Sequence, residues 1–147
     1  MLLDIFSHKG NTIQLYRSML APVAKQHDLT QMELDVLLFL ANNPQHDTAR
    51  DLVEIRHLSK SHVSTAVDAL VQRCFLQRDQ KPNNKKLIHL KLLPAAFPSV
   101  QQGQATQKAF FDQIFKGFTV QERKQLTRLL LRVEENASLG MALQKQD

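Results

Sequence analysis

Apolar positions between residues 48 and 92 follow a helical spacing first and an alternating spacing afterwards. Residues 48–57 predict a short helix, whose apolar side chains are Leu52, Val53 and Ile55. Ser59 is then a favourable N-cap for a second helix that ends near Arg73. Residues spaced i, i+3, i+4 and i+7 predict one buried stripe on this second helix: Val63, Ala66, Val67 and Leu70.

Two short strands follow the second helix. Residues 76–79 and 87–92 predict a ribbon whose turn holds Pro82-Asn83-Asn84. Apolar and polar side chains alternate in the second strand, as is typical of a half-buried strand. Helix, turn, helix and ribbon together predict a winged helix-turn-helix. The predicted fold class is therefore mainly α with a small β-wing, plus helices at both ends of the chain.

The residues before this segment predict two helices. Residues 10–27 carry apolar side chains at near-helical spacing, and Pro22 inside them predicts a kink or an early break. Thr30 with Glu33 forms a capping box that opens a strongly apolar helix, which runs to Asn43-Pro44. We expect this second helix to be buried on most sides.

The residues after the wing also predict two helices. The first runs from about Ser99 to Lys116, with Gly117 as its C-terminal stop. The second runs from Thr119 to about Asn136, and residues 138–147 are predicted to be a frayed tail. We interpret the terminal helices, residues 10–28 and 99–137, as dimerisation helices that flank a winged helix-turn-helix at residues 29–93.

Charge distinguishes the central segment from its flanks. Residues 48–92 hold nine Lys and Arg side chains and four acidic ones, a net charge of +5, which equals that of the whole chain. A positive charge confined to one segment is typical of a surface that binds a polyanion. Double-stranded DNA is therefore the predicted partner, because the small polar residues at the start of the second helix suit base edges in the major groove.

Composition excludes several other classes. A single cysteine, Cys74, excludes a disulfide framework, and neither a signal peptide nor a membrane-spanning run is found, so we expect a cytoplasmic protein. The sequence contains no arrangement typical of an enzyme, and it predicts no cofactor. The six histidines lack metal-ligand spacing, so we predict no metal site. Cys74 is expected to be a small buried residue and not a redox sensor.

The order of these elements resembles the MarR (multiple antibiotic resistance regulator) family. The resemblance spans roughly residues 10–136, and five stretches carry it: LTQMELDVLLFLANNP (29–44), TARDLV (48–53), VSTAVDALVQRCFLQR (63–78), PNNKK (82–86) with LIHLKL, and FTVQERKQLTRLLLRV (118–133). It implies a homodimer that binds a pseudo-palindromic operator, usually as a repressor released by an oxidant or a small phenolic effector. The predicted DNA-binding residues are Ser59, Lys60, Ser61, His62, Ser64, Thr65, Arg78, Lys81, Asn84, Lys85 and Lys86. The predicted effector-binding residues are Tyr16, Met19 and Leu20.

Three departures from the family pattern matter. The wing has Asn84-Lys85-Lys86 where the family usually has Asp-Arg-Arg, which favours phosphate contact over minor-groove reading. Thr65 replaces a common Arg. Cys74 replaces a Gly, so this position either avoids a positive φ or is strained. A winged-helix adaptor that binds another protein is the alternative function, but it does not explain the segmental charge.

Overall fold

The computed structural model describes residues 10–80, 82–84 and 86–145. This part of the chain contains six α-helices, one 3-10 helix and two strands. The helices are α1 (Asn11–Gln26), α2 (Gln31–Asn42), α3 (Ala49–Arg56), α4 (Lys60–Gln72), α5 (Phe97–Ile114) and α6 (Val120–Gln144). The strands are β1 (Leu76–Gln80) and β2 (Ile88–Leu92), and the 3-10 helix is Pro94–Ala96. The predicted mainly α fold with a small β-wing is confirmed.

The chain divides into two units, one ending at Phe110 and the other beginning at Phe111. Helix α2 supplies much of the core of the first unit, since six of its residues are buried: Leu34, Val36, Leu37, Leu38, Phe39 and Leu40. The predicted capping box at its start is present, with the Thr30 hydroxyl accepting from the Glu33 N–H at 3.1 Å. The predicted burial of this helix is confirmed.

The wing is an antiparallel pair in which Leu76 lies opposite Leu92 and Gln80 lies opposite Ile88. The other edge of β2 is also occupied, because Thr48 forms a bridge with His89 and the Leu90 N–H donates to the Asp47 carbonyl at 2.7 Å. The start of α3 is thereby fixed to the base of the wing. Within α3, Leu52 is buried, whereas Ile55 is 45% exposed.

Two prolines lie within helices. The predicted early break at Pro22 is wrong, because α1 continues to Gln26. Core packing on both sides of the proline, by Leu20 and by Val23, offsets the lost backbone hydrogen bond. Helix α5 begins at Phe97, before the predicted start near Ser99. Pro98 is tolerated there because the first turn of a helix has no internal acceptor for its N–H groups.

Helix α5 approaches α2 closely at Gly103. A Cβ atom placed on Gly103 would lie 2.7 Å from Cδ2 of Leu38, which is buried. Side-chain amides of α5 join the same region, since Gln104 donates to Asn42 at 2.9 Å and Gln107 donates to the Tyr16 hydroxyl at 2.8 Å. Small size at residue 103 therefore permits the contact between the two helices.

The second unit contains the last turn of α5 and all of α6. Gly117 has φ +84° and follows the end of α5, as predicted for a helix stop. The predicted end of the last helix near Asn136 and the predicted tail at 138–147 are wrong, because α6 continues to Gln144. The stretch after Asn136 is rich in Ala, Leu, Met and Gln, which favour helix over the cost of Gly140. Among the described residues, α6 buries none.

Candidate nucleic-acid interface

Helix α4 has one buried face and one polar face. The predicted stripe is confirmed, since Val63, Ala66, Val67 and Leu70 are all buried. This stripe packs mainly towards α2 and fixes the rotation of α4 about its axis. The opposite face is exposed at every predicted contact position: Ser59, Lys60, Ser61, His62, Ser64 and Thr65. The N-terminal half of α4 therefore presents hydroxyl, imidazole and ammonium groups to solvent.

Local hydrogen bonds order this polar face. The Ser59 hydroxyl caps α4 by accepting from the His62 N–H at 3.4 Å, and it lies 2.9 Å from the Ser61 hydroxyl. The Thr65 hydroxyl donates to the Ser61 carbonyl at 3.0 Å. The Thr65 oxygen thus faces outward as an acceptor, while serine hydroxyls can donate or accept. Such groups can bond to either partner of a base pair.

The wing is attached to α4 by an ion pair. Arg78 on β1 donates through Nη2 to the carboxylate of Asp68 on α4. At the turn, the Asn84 side chain accepts from the Lys86 N–H at 3.3 Å, and both residues are exposed. Arg78, a predicted DNA-binding residue, therefore bonds to α4 and supports the wing. The predicted contact residues Lys81 and Lys85 lie outside the described residues.

A cleft of about 440 Å³ separates the helices from the wing. Its lining includes the apolar side chains of Val53 and Ile88 and the cations of Lys60, Arg78 and Lys86. Cations therefore lie on α4, on β1 and beside the wing turn. This arrangement favours the binding of an anion to the winged helix-turn-helix, which we call the reading head, on the side that contains the start of α4.

Another pair supports the wing from its other edge. The Nδ1 atom of His89 on β2 lies 2.7 Å from the carboxylate of Asp47 in the loop before α3, and both residues are half-buried. Sequence reasoning missed this pair and the Asp68–Arg78 pair. His89 and Asp47 are 42 positions apart, and Arg78 and Asp68 are 10 positions apart, so no local spacing in the sequence predicts either pair. In the described part of the chain, no three His, Cys, Asp or Glu side chains form a metal-binding group.

The predicted effector residues have different environments. Tyr16 lines a cleft of about 270 Å³ whose other polar side chains include Asp35, Asn42 and Gln107. Leu20 is fully buried in the core, and Met19 is half-buried. Burial raises the pKa of Asp35, against the opposing effects of a bond from Gln31 and of nearby arginines. Of the three predicted residues, Tyr16 therefore lies where a bound molecule could reach it.

The position of Cys74 corrects one expectation and resolves another. Its side chain is exposed, so the expected buried cysteine is wrong. Its φ is +57°, so the residue that replaces the family Gly does adopt the left-handed conformation. A residue with a Cβ atom is strained in that conformation, which agrees with the expected alternative that this position is strained.

Comparison with known proteins agrees with this geometry. Residues 27–85 match the model of the MarR family. A MarR family regulator from Listeria monocytogenes, complexed with 26mer DNA, has a TM-score of 0.74 at 23% identity, over 92% of this chain and 87% of its own. A MarR family regulator from Silicibacter pomeroyi has a TM-score of 0.74 at 20% identity, over 85% of this chain and 84% of its own. MarR from Oenococcus oeni PSU-1 has a TM-score of 0.66 at 21% identity, over 91% and 96%.

Identities of this size establish a shared fold alone, and a search of curated proteins found no match. The fold and the exposed face of α4 define the class as a winged helix-turn-helix protein. The family match adds that residues 27–85 are similar to the MarR family. The predicted resemblance is confirmed. The prediction that the chain is not an enzyme agrees with this match, because the similar structures are described as transcriptional regulators. Within the described residues, no helix has the length and apolarity to cross a bilayer.

Proposed function

We propose that this chain is a sequence-specific, DNA-binding transcriptional regulator that acts in the cytoplasm. Helix α4 lies in the major groove, where residues 59–65 read base edges, and the wing contacts the neighbouring backbone or minor groove. The observation that carries the proposal is the polar N-terminal face of α4, which is exposed and backed by a buried stripe. The similar fold of the Listeria regulator, which is complexed with DNA, supports it.

The regulator acts as a homodimer on a pseudo-palindromic operator. Support comes from the second unit, where α6 buries none of its described residues and exposes large apolar side chains: Val120, Leu129, Leu130, Leu131, Val133, Leu139, Met141 and Leu143. A helix with such a face requires a partner surface in water. A second copy supplies one by two-fold symmetry, and two reading heads then meet half-sites about one DNA turn apart.

The dimer represses its target genes until a small molecule releases it. Support for the effector is the cleft beside Tyr16, whose lining mixes the aromatic ring with amide and carboxyl groups. A phenolic effector would stack on aromatic lining and bond to these polar groups. The effector can shift the equilibrium between two dimer states, which differ in the spacing of the reading heads. The shift is no larger than the difference between its binding free energies for those two states.

The DNA contacts are tested by pairing a wing variant with a helix variant. Lys86→Ala removes a cation beside the wing turn, and we expect the slope of log K against log salt to weaken by about 0.9 for one lost phosphate contact. Ser64→Ala removes a hydroxyl from the reading face, and we expect it to change preference among operator sequences and leave the salt slope unchanged.

Lys25→Ala is the charge-matched control, because Lys25 is exposed in the last turn of α1, outside residues 48–92. Affinities are measured by fluorescence anisotropy at several salt concentrations. An unchanged slope in Lys86→Ala would contradict the wing contact. A uniform loss across all DNA sequences in Ser64→Ala would contradict base reading.

A further inference from the structure

Arg73 is the C-cap of α4, and the chain leaves the helix there in a Schellman motif. The Phe75 N–H donates to the Leu70 carbonyl at 2.9 Å, and the Cys74 N–H donates to the Val71 carbonyl at 3.0 Å. The left-handed residue of this motif is Cys74, at φ +57°. The end of the predicted recognition helix is therefore a defined turn, and the Arg73 side chain projects from it.

Helix α1 ends in the same way. The Leu29 N–H donates to the Ala24 carbonyl at 2.8 Å, and the Asp28 N–H donates to the Lys25 carbonyl at 3.2 Å. Asp28 is the left-handed residue, at φ +52°. Two helix C-termini thus lie close to Arg73, one of which is its own. The last carbonyls of a helix carry a partial negative charge and attract cations.

The guanidinium of Arg73 joins the two ends. Nη1 donates to the Asp28 carbonyl at 2.6 Å, and Nη2 donates to the His27 carbonyl at 3.0 Å. The same group lies 4.7 Å above the Phe75 ring and 3.9 Å from the Glu33 carboxylate. A planar fork can bond to two adjacent carbonyls at once, which an ammonium cannot do in the same geometry. The 45 positions between Arg73 and Asp28 make this a long-range tie between α4 and the α1–α2 turn.

The α1–α2 turn is also attached to α5. The His27 Nε2 lies 2.7 Å from the Gln102 side-chain oxygen, and the Gln102 amide donates to the Gln26 side chain at 2.7 Å. Hydrogen bonds therefore run from α5 to the end of α1, and from there through Arg73 to the end of α4. All of these residues belong to the first unit.

We propose that Arg73 is a positioning residue for DNA reading: it fixes the C-terminal end of α4 to the α1–α2 turn and so sets the angle at which the helix enters the groove. Because Gln102 holds that turn, the angle of α4 also depends on α5. The inference rests on the proposed DNA binding by α4. It assigns Arg73 no contact with DNA, since its guanidinium is already bonded to protein carbonyls.

Arg73→Lys is the direct variant, because it keeps the charge and loses the two-carbonyl geometry. We expect the ratio of specific to non-specific DNA affinity to fall about tenfold, the scale of one lost charge-assisted bond. Non-specific affinity and the salt slope stay unchanged, because both depend on charge. Arg17→Lys is the matched control, since Arg17 is exposed on α1, outside residues 48–92, and it leaves the ratio unchanged. An Arg73→Lys variant with the same ratio as the parent chain would overturn the proposal. A salt slope weaker by about 0.9 in an Arg73→Gln variant would also overturn it, because that change marks the loss of a phosphate contact.

Hydrogen exchange of the free protein tests the tie independently of DNA. In Arg73→Lys, we expect faster exchange both at Cys74 and Phe75 and at Asp28 and Leu29. Gln102→Ala, which does not touch Arg73, should speed exchange at Asp28 and Leu29 and lower the specificity ratio by a smaller factor. Faster exchange confined to the end of α4 would overturn the proposal, because Arg73 would then be only a local cap. A parent chain that prefers no DNA sequence would refute the proposed function, and the exchange result would still decide whether the tie exists.

Discussion

Replacing Cys74 by glycine should stabilise this protein. At φ +57° a residue with a Cβ atom costs roughly 1–2 kcal/mol relative to the right-handed region. Glycine removes that cost, but it loses more backbone freedom on folding, about 0.5–1 kcal/mol. The thiol is exposed, so its removal leaves no cavity in the core. We therefore expect Cys74→Gly to raise the free energy of unfolding by about 0.5–1 kcal/mol, or the Tm by about 2–4 °C.

The assay is urea denaturation at fixed protein concentration, followed by circular dichroism. Cys74→Ala is the matched control, because it removes the sulfur and keeps the Cβ atom, and it should leave the midpoint within error of the parent. The gain in Cys74→Gly should appear as a higher midpoint with an unchanged slope. A lower or equal midpoint in Cys74→Gly would refute the strain at this position.

Three further changes test other parts of the structure. Burial raises the pKa of Asp35, so its ionised form costs stability, which falls as pH rises through the folded-state pKa. Asp35→Asn keeps an acceptor for the Gln31 amide, and it should raise the Tm at pH 7 more than at pH 4; an equal change at both pH values would contradict this. Gly103→Ala should destabilise by about 1–3 kcal/mol in urea denaturation, because the new methyl group overlaps Leu38; a neutral result would mean that Leu38 moves aside. If the chain forms the proposed dimer, Leu130→Lys on α6 should convert it into monomers in analytical ultracentrifugation, whereas Gln125→Lys should not; a dimeric Leu130→Lys variant would contradict the proposed interface.

The sequence predicted the parts of the fold that depend on local spacing. The buried stripe of α4, the capping box at Thr30 and the alternation in β2 all use signals within a few residues. The position of the reading face followed from the stripe, because the buried side of a helix fixes its exposed side. The DNA contacts themselves stay predictions.

Other features depend on contacts that spacing does not encode. Core packing at Leu20 and Val23 carries α1 through Pro22. The pairs Asp68–Arg78 and His89–Asp47, which hold the wing, join residues that only the tertiary fold brings together. At Cys74 the residue type also failed to predict the backbone. The residue is not a glycine, yet the backbone adopts the left-handed conformation that favours glycine.

Selection from a random pool of duplex DNA tests the central claim most directly. The protein is incubated with the pool at moderate salt, and bound duplexes are recovered, amplified and sequenced over several rounds. A homodimer that reads DNA through α4 should enrich an inverted repeat whose half-sites lie about 10 base pairs apart, bound at least about 10³-fold more tightly than random DNA. Enrichment of no sequence, or of a single half-site without its repeat, would contradict the proposed function.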